Sequence, residues 1–227
     1  MSERALLRTG SVAAILGAVL AFIGNILHPR DAEFGDTSAH LQEIADSGIW
    51  VGVHIGIVVA VLLILGGLAA VYRSITEGWG AALARLGFAS ALVGTALTVV
   101  LLGGTDGIAM KVVADAWASS QDPALFQAGF VLEQINFGLF SMFIFTYFGV
   151  TFILYGLAVA LTDVYPKWLG WAALVVGIAA ALIGLVQAYN GPSTLVATVL
   201  FPIASILLTV WALVIGVLMW RKADAAP

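Results

Sequence analysis

The chain has no cysteine among its 227 residues, which excludes disulfides, thiolate metal sites, cysteine nucleophiles and palmitoylation. Charge is nearly as scarce. Asp, Glu, Lys and Arg make up 10% of the chain, against about 25% in an ordinary soluble domain. No basic tract occurs and the net charge is −4, so nucleic acid is an unfavourable partner. The common catalytic signatures are missing too: there is no HExxH, no GxSxG and no Walker loop. No lysine lies inside an apolar run to form a retinal Schiff base, and Ser90 and Ser141 have no evident His or Lys partner at their depth.

What fills the chain instead is hydrocarbon. Hydrophobic residues account for 62% of it, and the mean hydropathy is +1.07. A water-soluble core cannot sequester that much apolar surface, so the solvent is lipid. A crossing helix needs about 20 mainly apolar residues. Six segments qualify, at about 9–27, 49–72, 84–104, 128–161, 167–189 and 195–220. The sequence therefore predicts an all-α, polytopic six-transmembrane-helix bundle forming a single integral membrane domain over 1–227. The first run follows two arginines but carries no small-x-small cleavage site, and it reads as a membrane helix rather than a removed leader. The fourth run is too long for one straight crossing.

Lysine and arginine set the expected direction. With the N-terminus inside, Arg4, Arg8, Arg73, Arg85, Lys167, Arg221 and Lys222 are cytoplasmic, and only Arg30 and Lys111 are external. Both termini are thus expected on the cytoplasmic side of the membrane. The external side is acidic, with Asp31, Glu33, Asp36, Glu43, Asp46, Asp106, Asp115, Asp122 and Glu133. This suits a solvated face or a cation-attracting vestibule. Two amphipathic stretches, "DTSAHLQEIADSG" and "TDGIAMKVVADAWASSQDP", read as short helices on the outer face, the second lying on the membrane surface. A likeness between residues 67–94 and 156–184 fits a duplicated hairpin or the ordinary Gly/Ala/Leu composition of two bilayer hairpins.

Ionisable and amide groups in such a chain need a partner, a cavity or a job. They gather at the outer helix ends: Asn25 and His28, His54, then Glu133, Gln134 and Asn136, and finally Gln187, Tyr189 and Asn190. Glu133 and Asn136 share a helix face, with Gln134 about 100° away. Phe126, Phe130, Phe137 and Phe140 extend that stripe. The leading expectation is a non-enzymatic membrane protein whose outward pocket, built from His54, Glu133, Asn136, Gln134, Phe130, Phe137 and Phe140, binds a lipid-like or aromatic small molecule. A plainer alternative sends Glu133 to water or to Lys111. Two other functions stay open. One is a haem or metal redox protein using His54 with His28, His40 and Glu43 as further ligands. The other is a small proton-coupled carrier using Glu133. Pro202 would kink the sixth helix and open space beside Glu133 and His54. A homo-oligomer or a larger membrane assembly is compatible with all three.

The segments "DGIAMKVVADAWA" and "YPKWLGWAALVVG", with the long fourth helix between them, resemble multi-pass membrane proteins of unknown function from actinobacteria and haloarchaea. The resemblance covers the C-terminal half. It implies a prokaryotic source and a six-helix layout, and carries no activity, cofactor or site residue.

Overall fold

The structure is a computed structural model that describes residues 2–29 and 35–225. Arg30, Asp31 and Glu33, in the segment between α1 and α2, lie outside the described residues. Seven helices and no strand make up the described chain: α1 (Glu3–Leu27), α2 (Thr37–Asp46), α3 (Trp50–Ser74), α4 (Gly78–Ser120), α5 (Pro123–Ala160), α6 (Lys167–Asn190) and α7 (Val196–Ala225). All but α2 are long and apolar enough to cross a membrane, so this is a multi-pass membrane protein.

Lipid supplies little hydrophobic drive between helices, so close packing has to come from small residues. Two antiparallel pairs use glycines seven residues apart. Along α1, Gly10, Gly17 and Gly24 meet Ala70, Ile64 and Ile57 of α3. Along α6, Gly170, Gly177 and Gly184 meet Ala160, Ile153 and Phe145 of α5. A Cβ at Gly156 would come 2.5 Å from the Leu174 nitrogen and 2.8 Å from the Gly170 carbonyl oxygen. Helix α7 packs on α1, where Ser11 Oγ donates to the Gly216 carbonyl at 2.6 Å. Buried ring donors are also satisfied across helices. Tyr155 Oη donates to the Leu68 carbonyl (2.8 Å) and Trp211 Nε1 to the Leu169 carbonyl (2.9 Å).

The expected surface helix after the third span is not separate. Helix α4 runs unbroken for 43 residues, and its last turns stand beyond the apolar stretch as its direct continuation. The join is a π-helical stretch over Val99–Ala109. Shorter ones occur at Ile144–Val150 in α5 and Val196–Leu200 at the start of α7. In each, an N–H reaches the carbonyl five residues back: Met110 to Thr105, Thr151 to Thr146, Phe201 to Val196. Such segments are rare and collect at functional sites. The continuation is held upright because α2 packs across it, with Leu41 and Ile44 buried against Met110, Ala114 and Trp117. The face that α2 shelters is Met110, Ala114 and Trp117, while Ile108 and Val112 of the expected membrane-facing side are exposed.

Candidate functional site

All three histidines of the chain gather around one tryptophan. Trp50 is 1% exposed at the start of α3, with ring centroids 5.2 Å from His28, 4.5 Å from His54 and 6.0 Å from His40. The rings of His28 and His54 are 4.9 Å apart.

His54 is completely buried, one helical turn after Trp50. Its Nδ1 lies 2.8 Å from the Trp50 carbonyl oxygen. A carbonyl only accepts, so Nδ1 carries a proton and Nε2 is the nitrogen presented to the site. Nε2 stands 3.0 Å from Asp106 Oδ2. The other carboxylate oxygen of Asp106 accepts from Asn136 Nδ2 at 3.1 Å. The backbone carbonyl of Asp106 accepts from Trp50 Nε1 at 3.0 Å. Asp106 belongs to the π-helical stretch, and its neighbour Gly107 explains how the two helices come so close. A Cβ at Gly107 would overlap the Leu102 carbonyl and lie 2.8 Å from His54 Cβ. Only glycine lets α4 bring Asp106 against His54.

His28 completes a triad. It sits just past the end of α1, where Nδ1 lies 2.7 Å from the Pro29 carbonyl and donates to it. His28, His54 and Asp106 each offer one ligand atom, and the three atoms lie within 4.8 Å of one another. Tetrahedral ligands about 2.1 Å from a zinc ion stand about 3.4 Å apart, so closing the set takes a shift of roughly an ångström in half-buried His28. Two further features suit an ion. Both imidazoles donate their Nδ1 protons to backbone carbonyls, the arrangement that fixes ring orientation in metal sites. Asn136 is 9% exposed, and its Oδ1 is buried with no hydrogen-bond partner, an acceptor placed beside Asp106. A porphyrin fits poorly, because Trp50 packs against both imidazoles where the macrocycle would have to pass.

His54 and Glu133, expected around one pocket, take different partners. Glu133 is engaged by α2 instead: Oε1 lies 2.6 Å from His40 Nδ1 and Oε2 accepts from Thr37 Oγ1 at 2.5 Å. Thr37 and His40 are one turn apart on α2, so one carboxylate of α5 clasps the whole short helix. Burial alone would lower the His40 pKa, but the hydrogen bond and charge of Glu133, with Asp106 and Glu43 beyond, raise it above the ordinary value. The N-terminus of α2 is capped by Asp36, whose carboxyl is held below the usual range by Ser38 Oγ and the Ala39 N–H. Lys111, a candidate partner for Glu133, is committed elsewhere. Its Nζ donates to the Ile44 and Ala45 carbonyls at 3.0 and 2.9 Å and pairs with Asp115 at 2.8 Å. A cation at a helix C-terminus complements the dipole there.

Other expected site residues disperse. Gln134 and Phe130 face outward, and Phe140 packs edge-on to Phe201, deeper in the bundle. His40 and Glu43 are outside the group that could share an ion with His54. Gln187 turns inward to donate to Ser141 Oγ at 3.2 Å, while Tyr189 and Asn190 are exposed. The residue that sequence reasoning missed is Asp106, which stands in "GGTDG" like a loop aspartate. Its only signal was an acid immediately after an apolar run, opposite the depth of His54. No protein-family model, curated protein or solved structure matches the chain.

Proposed function

We propose that this membrane protein binds a divalent first-row transition-metal ion through His28, His54 and Asp106, with Asn136 steering the carboxylate. The observation that carries this reading is the His54 ring, buried and tied by Nδ1 to the Trp50 carbonyl so that Nε2 meets Asp106. Two imidazoles and one carboxylate suit Zn²⁺, Fe²⁺, Mn²⁺ or Co²⁺ and leave coordination positions open for water or substrate. The partner-free Oδ1 of Asn136 is an acceptor for an ion-bound water.

Binding suits the geometry better than conduction. The layer beneath the triad is apolar, with Val61, Leu101, Phe143 and Tyr147 clustered there and no charged side chain among them. The distribution of Lys and Arg supports an orientation with the triad on the external side of a prokaryotic inner membrane and both termini inside. There the acidic loops would draw cations towards it. The lipid-like or aromatic ligand suggested by the sequence has a better seat deeper in the bundle.

The test is metal content after purification and reloading. Wild-type protein should hold about one Zn²⁺ or Co²⁺ per chain, and His54→Ala or Asp106→Asn should lose it. Stoichiometric metal retained by both variants would refute the proposal.

A further inference from the structure

Below the triad lies a crevice that the metal reading does not use. Its cavity volume is about 70 Å³ and one side is open, so it admits one end of a small molecule rather than the whole of it. Its walls come from α1, α3, α4, α5 and α7. Its upper rim is Asn25, Ile57 and Leu102, each about one turn deeper in its helix than His28, His54 and Asp106. The π-helical stretches of α4 and α5 contribute Leu102 and Tyr147 to the wall, and Phe201 follows that of α7.

Two features define what would fit. The first is aromatic lining. Phe143, Phe148 and Phe201 meet edge to face, with centroids 5.1 to 6.4 Å apart, and Tyr147 stacks on Phe143 at 5.6 Å. Such walls receive a flat ring. The second is Tyr147 itself. It is 2% exposed, and its hydroxyl has no hydrogen-bond partner, whereas the buried Tyr155 hydroxyl and Trp211 N–H are both satisfied. A buried donor without an acceptor costs free energy that a ligand acceptor would recover. The other hydroxyls at the wall are spent on their own helix: Ser205 Oγ donates to the Pro202 carbonyl and Thr209 Oγ1 to the Ser205 carbonyl. No charged side chain is among the lining residues, so the ligand is neutral.

We infer that this crevice binds a neutral, membrane-dissolved ring carbonyl of the quinone class, with Tyr147 Oη donating to the carbonyl oxygen and the apolar tail leaving through the open side into lipid. The inference is independent of the metal site, since none of the triad residues lines the crevice.

The test uses the whole protein in lipid nanodiscs with decylubiquinone as the probe and decylbenzene as its carbonyl-free analogue, with occupancy read by native mass spectrometry. Wild-type protein should take up one decylubiquinone saturably and discriminate against decylbenzene. Tyr147→Phe should weaken quinone binding about 2- to 10-fold while leaving the quinone-free melting temperature equal or higher, because that hydroxyl has no protein bond to lose. Ala21→Leu, which fills the crevice from α1, should reduce occupancy without touching Tyr147. Absence of saturable uptake by the wild-type protein overturns the proposal. So does equal binding of the two probes, or quinone binding unchanged in both variants.

Discussion

His54 Nε2 and Asp106 Oδ2 stand 3.0 Å apart although 52 residues separate them in the chain. The contact exists because α4 continues past the apolar stretch as a π-helix and because Gly107 leaves room for the His54 side chain. Everything proposed for the metal site depends on that juncture.

Gly107→Ala should therefore do more damage than an ordinary helical Gly→Ala change. The new Cβ meets the Leu102 carbonyl and His54, and overpacking of this kind costs about 1–3 kcal/mol. A lower melting temperature together with loss of bound metal is expected. Gly138→Ala, where a Cβ would meet nothing within 4 Å, is the matched control and should retain both.

The α2 clasp should respond to pH through His40. Its pKa is raised in the folded protein above the 6.5 of an ordinary histidine, by Glu133 chiefly, against the opposing effect of burial. Its contribution to holding α2 is thus fully present below pH 6.5 and is lost as the pH rises through the higher folded value. Hydrogen–deuterium exchange of Thr37–Asp46 should be slower at pH 6 than at pH 8.5, after correction for intrinsic exchange. His40→Gln should remove most of that difference, and an unchanged profile would show that the pair does not hold the helix.

The glycine seam between α5 and α6 carries a plain stability expectation. Gly170 packs on the Ala160 backbone and the Gly156 carbonyl, so Gly170→Val should cost about 1–3 kcal/mol or more, measured by thermal unfolding in detergent. A neutral result would mean that the two helices can part without loss.

The absence of cysteine makes the orientation easy to test. Ser38→Cys on α2 adds the only thiol in the chain. A membrane-impermeant maleimide should label it from outside intact cells, and should not label a cysteine placed at Thr76 in the α3–α4 turn. The reverse pattern would invert the topology.

The spans were legible because hydropathy over some 20 residues is a strong, local signal, and the six long helices fall where the apolar runs do. The site was only partly legible. His54 is a single polar residue in an oily stretch and Asn136 follows Glu133 and Gln134 in another, which makes them conspicuous. Asp106 was hidden, since Gly-Gly-Thr-Asp-Gly carries the composition of a turn. It remains helical here because Trp50 Nε1 and the packing of α2 support that backbone from outside the segment. The i to i+5 register has no hydrophobic period to betray it. Glu133 was conspicuous for the right reason, a carboxylate needing a partner, but the partner came from α2, whose fold-over no local pattern announces.

Cobalt is the most direct probe of the central claim, because its visible d–d absorption reports ligand number and type. Metal-stripped protein titrated with Co²⁺ should show a saturable visible band at about one equivalent. The band should be lost in His54→Ala and Asp106→Asn, persist in His40→Ala, weaken about 10- to 100-fold in affinity in Asn136→Leu, and fade with acid as the ligand histidines take up protons. A band that survives both His54→Ala and Asp106→Asn, or no band in the wild-type protein, would contradict the account.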